Sequence, residues 1–207
     1  MVRAEEQTPG RQRRTEHKRA VILDAAEALF VSAGYELTGV DAIAARAGVS
    51  KRTVYDHFGD KQSLFHAVLV RVNEALATAV RAAIDEEITD GRDLRAALTA
   101  FALRVATRTF PSSEYAAFRR LTTHDRTAPR LAVPDYPERM LEERFTRLAA
   151  DGAMAEANPR RAVQHFTALT LLLALDAAKD DPGEPEIRAI IADGVDVFLR
   201  AYGPRRR

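Results

Sequence analysis

Residues 47–61 read AGVSKRTVYDHFGDK, and the interpretation of the whole chain turns on them. Lys51, Arg52, Thr53, Tyr55 and His57 crowd behind a bend at Gly48, with only Val54 and Phe58 as large apolar anchors. Wound at ~100° per residue, Val54 and Phe58 fall on one side of a helix. Arg52, Thr53 and Asp56 fall roughly opposite, with Tyr55 and His57 on the flanks. A core helix does not spend its surface this way. A helix that offers donors to an anion does.

Before the bend, Ile43, Ala44 and Ala47 give a short helix able to pack on Val54 and Phe58, which is helix-turn-helix geometry. Ser50 is a good N-cap for the later helix and Gly59 closes it. Thr38-Gly-Val-Asp41 has the form of a weak capping box for the earlier one. Upstream, Ile22, Ala25, Ala26, Leu29 and Phe30 mark a first helix ending at Gly34. Downstream, Asp60 caps a long helix striped by Leu64, Phe65, Val68, Leu69, Val72, Leu76, Val80 and Ile84. Arginine can read guanine O6 and N7 together, while Thr, Tyr and His bind phosphates. Asp56 is repelled by phosphates, so it either pairs with Arg52 at i,i+4 or accepts a hydrogen bond from cytosine N4.

The helical period continues to the end. Leu94, Leu98, Phe101, Val105 and Phe110 make a fifth helix, and Tyr115, Phe118 and Leu121 a sixth. Prolines 129, 134 and 137 indicate a loop, after which Met140, Leu141, Phe145 and Leu148 make a seventh. Asn158-Pro159 opens an eighth and Pro185 a ninth, the latter stopped by Gly203-Pro204. No β alternation appears. The expectation is an all-α protein of about nine helices, with an N-terminal three-helix DNA-binding helix-turn-helix unit followed by a larger helical domain. The expected organisation is a mobile basic arm over 1–14, the DNA-binding domain over 15–62, the larger helical domain over 63–203, and a basic tail over 204–207.

Composition narrows the function. At 207 residues the chain can bury a sizeable core, and 46% hydrophobic against 29% charged residues is an ordinary globular balance. The net charge is +1, so attraction to a polyanion must come from a local patch. There is no cysteine, hence no disulfide, thiolate zinc site or thiol nucleophile. The five histidines show no metal-ligating spacing, and neither a glycine-rich phosphate loop nor a nucleophile elbow is present. No enzyme activity, metal or cofactor is expected. Basic residues at the start lack an apolar run behind them, and ALTLLLALDAA is interrupted by Thr170 and Asp176, so a cytoplasmic protein without a membrane span is expected.

The stretch from Thr38 to Phe65, TGVDAIAARAGVSKRTVYDHFGDKQSLF, closely resembles the DNA-binding unit of the TetR/AcrR family of transcriptional regulators. Ile22-Leu23-Asp24-Ala25-Ala26, Leu29-Phe30 and Gly34-Tyr35 look like that family's first helix, and Gln62 departs from its usual Glu. The resemblance covers about residues 15–66. It implies that Thr38, Tyr55, His57 and Lys61 hold phosphates, and that Lys51, Arg52 and Thr53 lie nearest base edges beside the Ser50 cap. Arg11, Arg13, Arg14, Lys18 and Arg19 are placed within reach of the backbone or an adjacent groove, or form a merely solvated tail.

For the remainder, the eighth helix is apolar nearly all round and needs partners on every side. Leu169, Leu172 and Leu173, with Ile187, Ile191, Val195 and Phe198 of the ninth, are therefore expected at a four-helix homodimer interface, and two-fold symmetry implies a palindromic operator. An apolar chamber is expected around Phe101, Phe110, Tyr115, Phe118, Leu121, Phe145 and Phe166. Arg104, Thr122, His124 and His165 would orient a small hydrophobic effector, which in this family commonly releases the operator. The expected function is a ligand-responsive repressor. An activator of the same fold, or a helical adaptor without sequence-specific DNA binding, are the alternatives.

Overall fold

The computed structural model describes residues 9–112, 115, 117, 119, 121, 122, 129, 136–155, 157–178 and 183–204. Every regular element among them is helical. In chain order these are α1 (Pro9–Ala33), α2 (Val40–Ala47), α3 (Lys51–Phe58), α4 (Lys61–Glu87) and α5 (Leu94–Arg104), which runs on through a π-helical turn at Val105–Thr109. Then follow α6 (Tyr136–Ala150), α7 (Pro159–Thr167) with a π turn at Ala168–Leu172 and a last segment at Leu173–Ala177, and α8 (Glu184–Tyr202). The expected sixth helix falls where description is partial, although Tyr115, Ala117 and Arg119 are helical. Phe118 and His124 lie outside the described residues.

The chain forms two compact units, residues 1–72 with 117–133, and 73–116 with 134–207, so α4 contributes to both. In the smaller unit Phe30, Tyr35 and Phe65 form an aromatic triangle, Phe30 and Tyr35 each 5.0 Å from the Phe65 ring. Ile22, Ile43, Val54 and Leu64 are buried around it. α1 starts at Pro9 rather than near Thr15, since proline is well tolerated in a first turn and Gln12 reaches Glu16 one turn on. The larger unit is centred on Phe145, Phe166 and Phe198, mutually 5.3–5.7 Å apart, with Phe101 6.1 Å from Phe166.

That second core takes in several of the residues expected at the interface and the chamber. Ile187, Ile191, Val195 and Phe198 are the inner stripe of α8 and pack in the core of the larger unit, at most 9% exposed. The period of a stripe identifies a buried face without telling core from interface. The large apolar side chains left at the surface of α7 and α8 are Leu172, Leu173 and Val197, with Leu169 half-buried. Phe101 and Phe166 likewise pack in that core, 1% and 0% exposed. α7 and α8 cross closely at Gly194, where an added Cβ would overlap the Leu169 carbonyl oxygen. Among the described residues no helix is long and apolar enough to cross a membrane.

Candidate nucleic-acid interface

The turn between α2 and α3 is built from backbone hydrogen bonds. Gly48 takes φ +66°, where a side chain would be strained, and its N–H donates to Ala45 O at 3.2 Å. Val49 N–H reaches Ala44 O at 3.0 Å, completing a Schellman motif. The Ser50 hydroxyl oxygen then accepts from Thr53 N–H at 3.1 Å and lies 2.8 Å from the Thr53 hydroxyl. Val54 and Phe58, 2% and 8% exposed, sink into the core of the smaller unit. The opposite face of α3 is thereby fixed in orientation. Lys51, Arg52, Tyr55 and Asp56 are exposed, and Thr53 and His57 half-buried.

The charged groups on this face are only lightly held. Arg52 Nε lies 3.8 Å from Asp56 Oδ2, one of the two arrangements expected for Asp56, at a separation too long for a hydrogen bond. Lys51 Nζ donates to Asp41 Oδ2 of α2 at 2.9 Å, and that bond holds the ammonium above its ordinary pKa. Lys61, in the first turn of α4, sits 4.2 Å over the Tyr35 ring with its Nζ 3.4 Å from Glu36 O. Asp60 caps α4 by accepting from Ser63 N–H at 2.6 Å, which lowers its carboxyl pKa. Burial first, and then the charges of Glu36 and Asp60, push the Tyr35 phenol up.

The Thr38 side chain is turned inward. It is 2% exposed, and its hydroxyl donates to Gly34 O at 2.7 Å and Leu29 O at 3.2 Å. The N-cap of α2 is Gly39, with no side-chain cap, so the capping box does not form. Thr38 ties the end of α1 to the start of α2. The tethers Asp41–Lys51 and Tyr35–Lys61 escaped the sequence reading, because each joins residues of different segments, the second pair with α2 and α3 between them, where helical periodicity carries no signal.

The expected effector residues that the structure describes belong to both units. Leu121 packs in the core of the smaller unit, to which Thr122 also belongs. Arg104 is half-buried and pairs with Glu86 and Glu87. His165 is exposed, with Nδ1 2.7 Å from the Tyr202 hydroxyl. Phe110 is half-buried and stacks on Tyr115 at 4.5 Å. An apolar groove of 530 Å³ instead lies between α6 and the start of α7, lined by Phe145, Thr146, Ala149, Met154, Pro159 and Ala162 among others.

Residues 22–68 match the family model of bacterial regulatory proteins of the tetR family. Residues 96–204, more than half of the chain, match the C-terminal domain of AefR-like transcriptional repressors. Over 86 residues the chain is 43% identical to the HTH-type transcriptional activator FasR of Mycolicibacterium smegmatis, a match that spans 42% of this chain and only 39% of FasR. The solved flavonoid-responsive regulator FrrA is similar at a TM-score of 0.73 and 28% identity, over 92% of this chain and all of FrrA. SmeT, repressor of the Stenotrophomonas maltophilia multidrug efflux pump SmeDEF, is similar at 0.60 and 26% identity, over 91% of this chain and 92% of SmeT. The chain belongs to the TetR family of bacterial transcriptional regulators, with α2 and α3 as its DNA-binding helix-turn-helix.

Proposed function

We propose that this protein is a ligand-responsive repressor that binds a palindromic operator as a homodimer and releases it when a small hydrophobic effector occupies the larger unit. One observation carries the DNA-binding part: the polar face of α3 is held outward by buried Val54 and Phe58 and by the Gly48–Ser50 turn. In this reading Lys51, Arg52 and Thr53 face base edges, while Ser50, Tyr55, His57 and Lys61 engage phosphates. Thr38 supports the fold behind them.

Leu172, Leu173 and Val197 supply the apolar surface that a second copy would cover, and two copies present two recognition helices to successive major grooves. Sedimentation as a monomer at the concentrations where operator is bound contradicts this part. The effector reading draws on FrrA, named for its response to flavonoids, and on the 530 Å³ groove, a volume within the range of small-molecule sites. The effector must favour the non-binding spacing of the two heads by a few kcal/mol. A second reading, activation, is favoured by FasR, which is named an activator; the sign depends on where the operator lies relative to a promoter.

Arg52→Ala tests the base-reading role. It is expected to cost about 1–3 kcal/mol on the cognate duplex and to relax specificity at one position of each half-site. An unchanged ratio of cognate to scrambled binding refutes it.

A further inference from the structure

We infer that the larger unit holds a second ligand site, a groove for a small molecule bearing two or more oxyanion groups, such as a phosphate ester or a polycarboxylate. It is separate from the apolar groove beside α7 and does not depend on the DNA-binding reading. The groove has a volume of 830 Å³ and is lined by α5, the end of α4 and the start of α8. That size falls within the range of small-molecule sites. Ala96, Thr99, Ala100 and Leu103 supply its α5 side from one face of that helix. Around them stand five guanidiniums, those of Arg92, Arg95, Arg104, Arg108 and Arg188.

Three carboxylates also line the groove, and each is already engaged. Glu87 accepts from Arg92 Nη1 at 2.9 Å and pairs with Arg104. Glu184 accepts from Arg188 Nη2 at 2.8 Å, and Asp93 caps α5 by accepting from Ala96 N–H at 2.9 Å. Glu86 and Asp196, which hold Arg104 and Arg95, are not part of the lining, so they orient those guanidiniums without filling the groove. Arg108 is exposed and forms no ion pair among the described residues. Arg92 and Arg188 bond through one terminal nitrogen each and keep further donors in the planar fork that matches phosphate and carboxylate oxygens. Committed acids beside spare guanidinium donors favour an anion of more than one charge over a neutral or cationic molecule. A second copy seated on Val197 leaves the groove open. Arg188 and Val197 are nine residues apart on α8, about 180° round the helix, and so lie on opposite flanks.

The test titrates the full chain with pyrophosphate, citrate and acetate at low, constant ionic strength, read by calorimetry and by melting temperature. Pyrophosphate or citrate should saturate at one per chain and raise the melting temperature, because a bound ligand stabilises the folded chain. Acetate, with a single charge, should do neither. Tighter binding of pyrophosphate assigns a phosphorylated ligand, and tighter binding of citrate a polycarboxylate. Arg108→Ala and Arg188→Ala combined should weaken the tighter probe by about tenfold or more. Arg139→Ala and Arg147→Ala combined remove the same charge from exposed positions of the larger unit outside the groove, and should leave affinity unchanged. No saturable binding by the folded parent, parent-like affinity in the first variant, or an equal loss in the second overturns the inference.

Discussion

The smaller and larger units are held together in different ways. In the smaller one, the devices that shape the helix-turn-helix are local: Gly48 bends the chain, Ser50 caps α3, Asp60 caps α4, and each acts on neighbours within a few residues. In the larger one, the decisive contacts join distant segments. Phe101, Phe145, Phe166 and Phe198 come from four different helices, and Gly194 meets Leu169 across a helix crossing. A local device can be recognised from a short stretch of residues. A crossing cannot.

The largest effect that can be set against this contrast is at Gly194. Its backbone touches α7 where any side chain would strike the Leu169 carbonyl, so Gly194→Ala should destabilise the larger unit by about 3 kcal/mol or more. Hydrogen exchange should show lost protection in α7 and α8 and little change in α2 and α3. Uniform loss across both units would show that the two are not held separately.

Ser50→Ala probes the local side. Loss of the N-cap to Thr53 should cost about 1 kcal/mol, read as a shift of the denaturation midpoint with an unchanged slope. The same variant should weaken DNA binding, because the first turn of α3 frays.

The smallest effect is expected from Asp60→Asn. The Asp60 carboxyl pKa is lowered by the hydrogen bond from Ser63, so the charged cap contributes stability above the ordinary carboxylate pKa and loses it as pH falls through the depressed value. Melting curves of parent and variant should therefore differ at neutral pH and converge in acid. A gap that persists at the lowest pH where the fold survives would mean the charged cap is not its source.

What was legible follows the same division. The C-terminal ends of α1, α2 and α3, and the Ser50 and Asn158 caps, follow from residue type at fixed spacing. Thr38 misled because a threonine before a helix looks like a cap, whereas its hydroxyl turns inward to the end of α1. In α7 the apolar residues run nearly all round, and only packing separates buried Phe166 and Leu171 from exposed Leu172 and Leu173. In α8 the stripe was found, but it faces the core. Gly194 looks like a flaw in a helix when read along the chain. Its function appears only where a second backbone passes.

The most direct test of the central claim is selection of bound duplexes from a random pool by the purified, effector-free protein at low ionic strength. The account predicts enrichment of an imperfect palindrome whose half-sites lie about one helical turn apart or a multiple of it. A folded protein that enriches no sequence from that pool contradicts it.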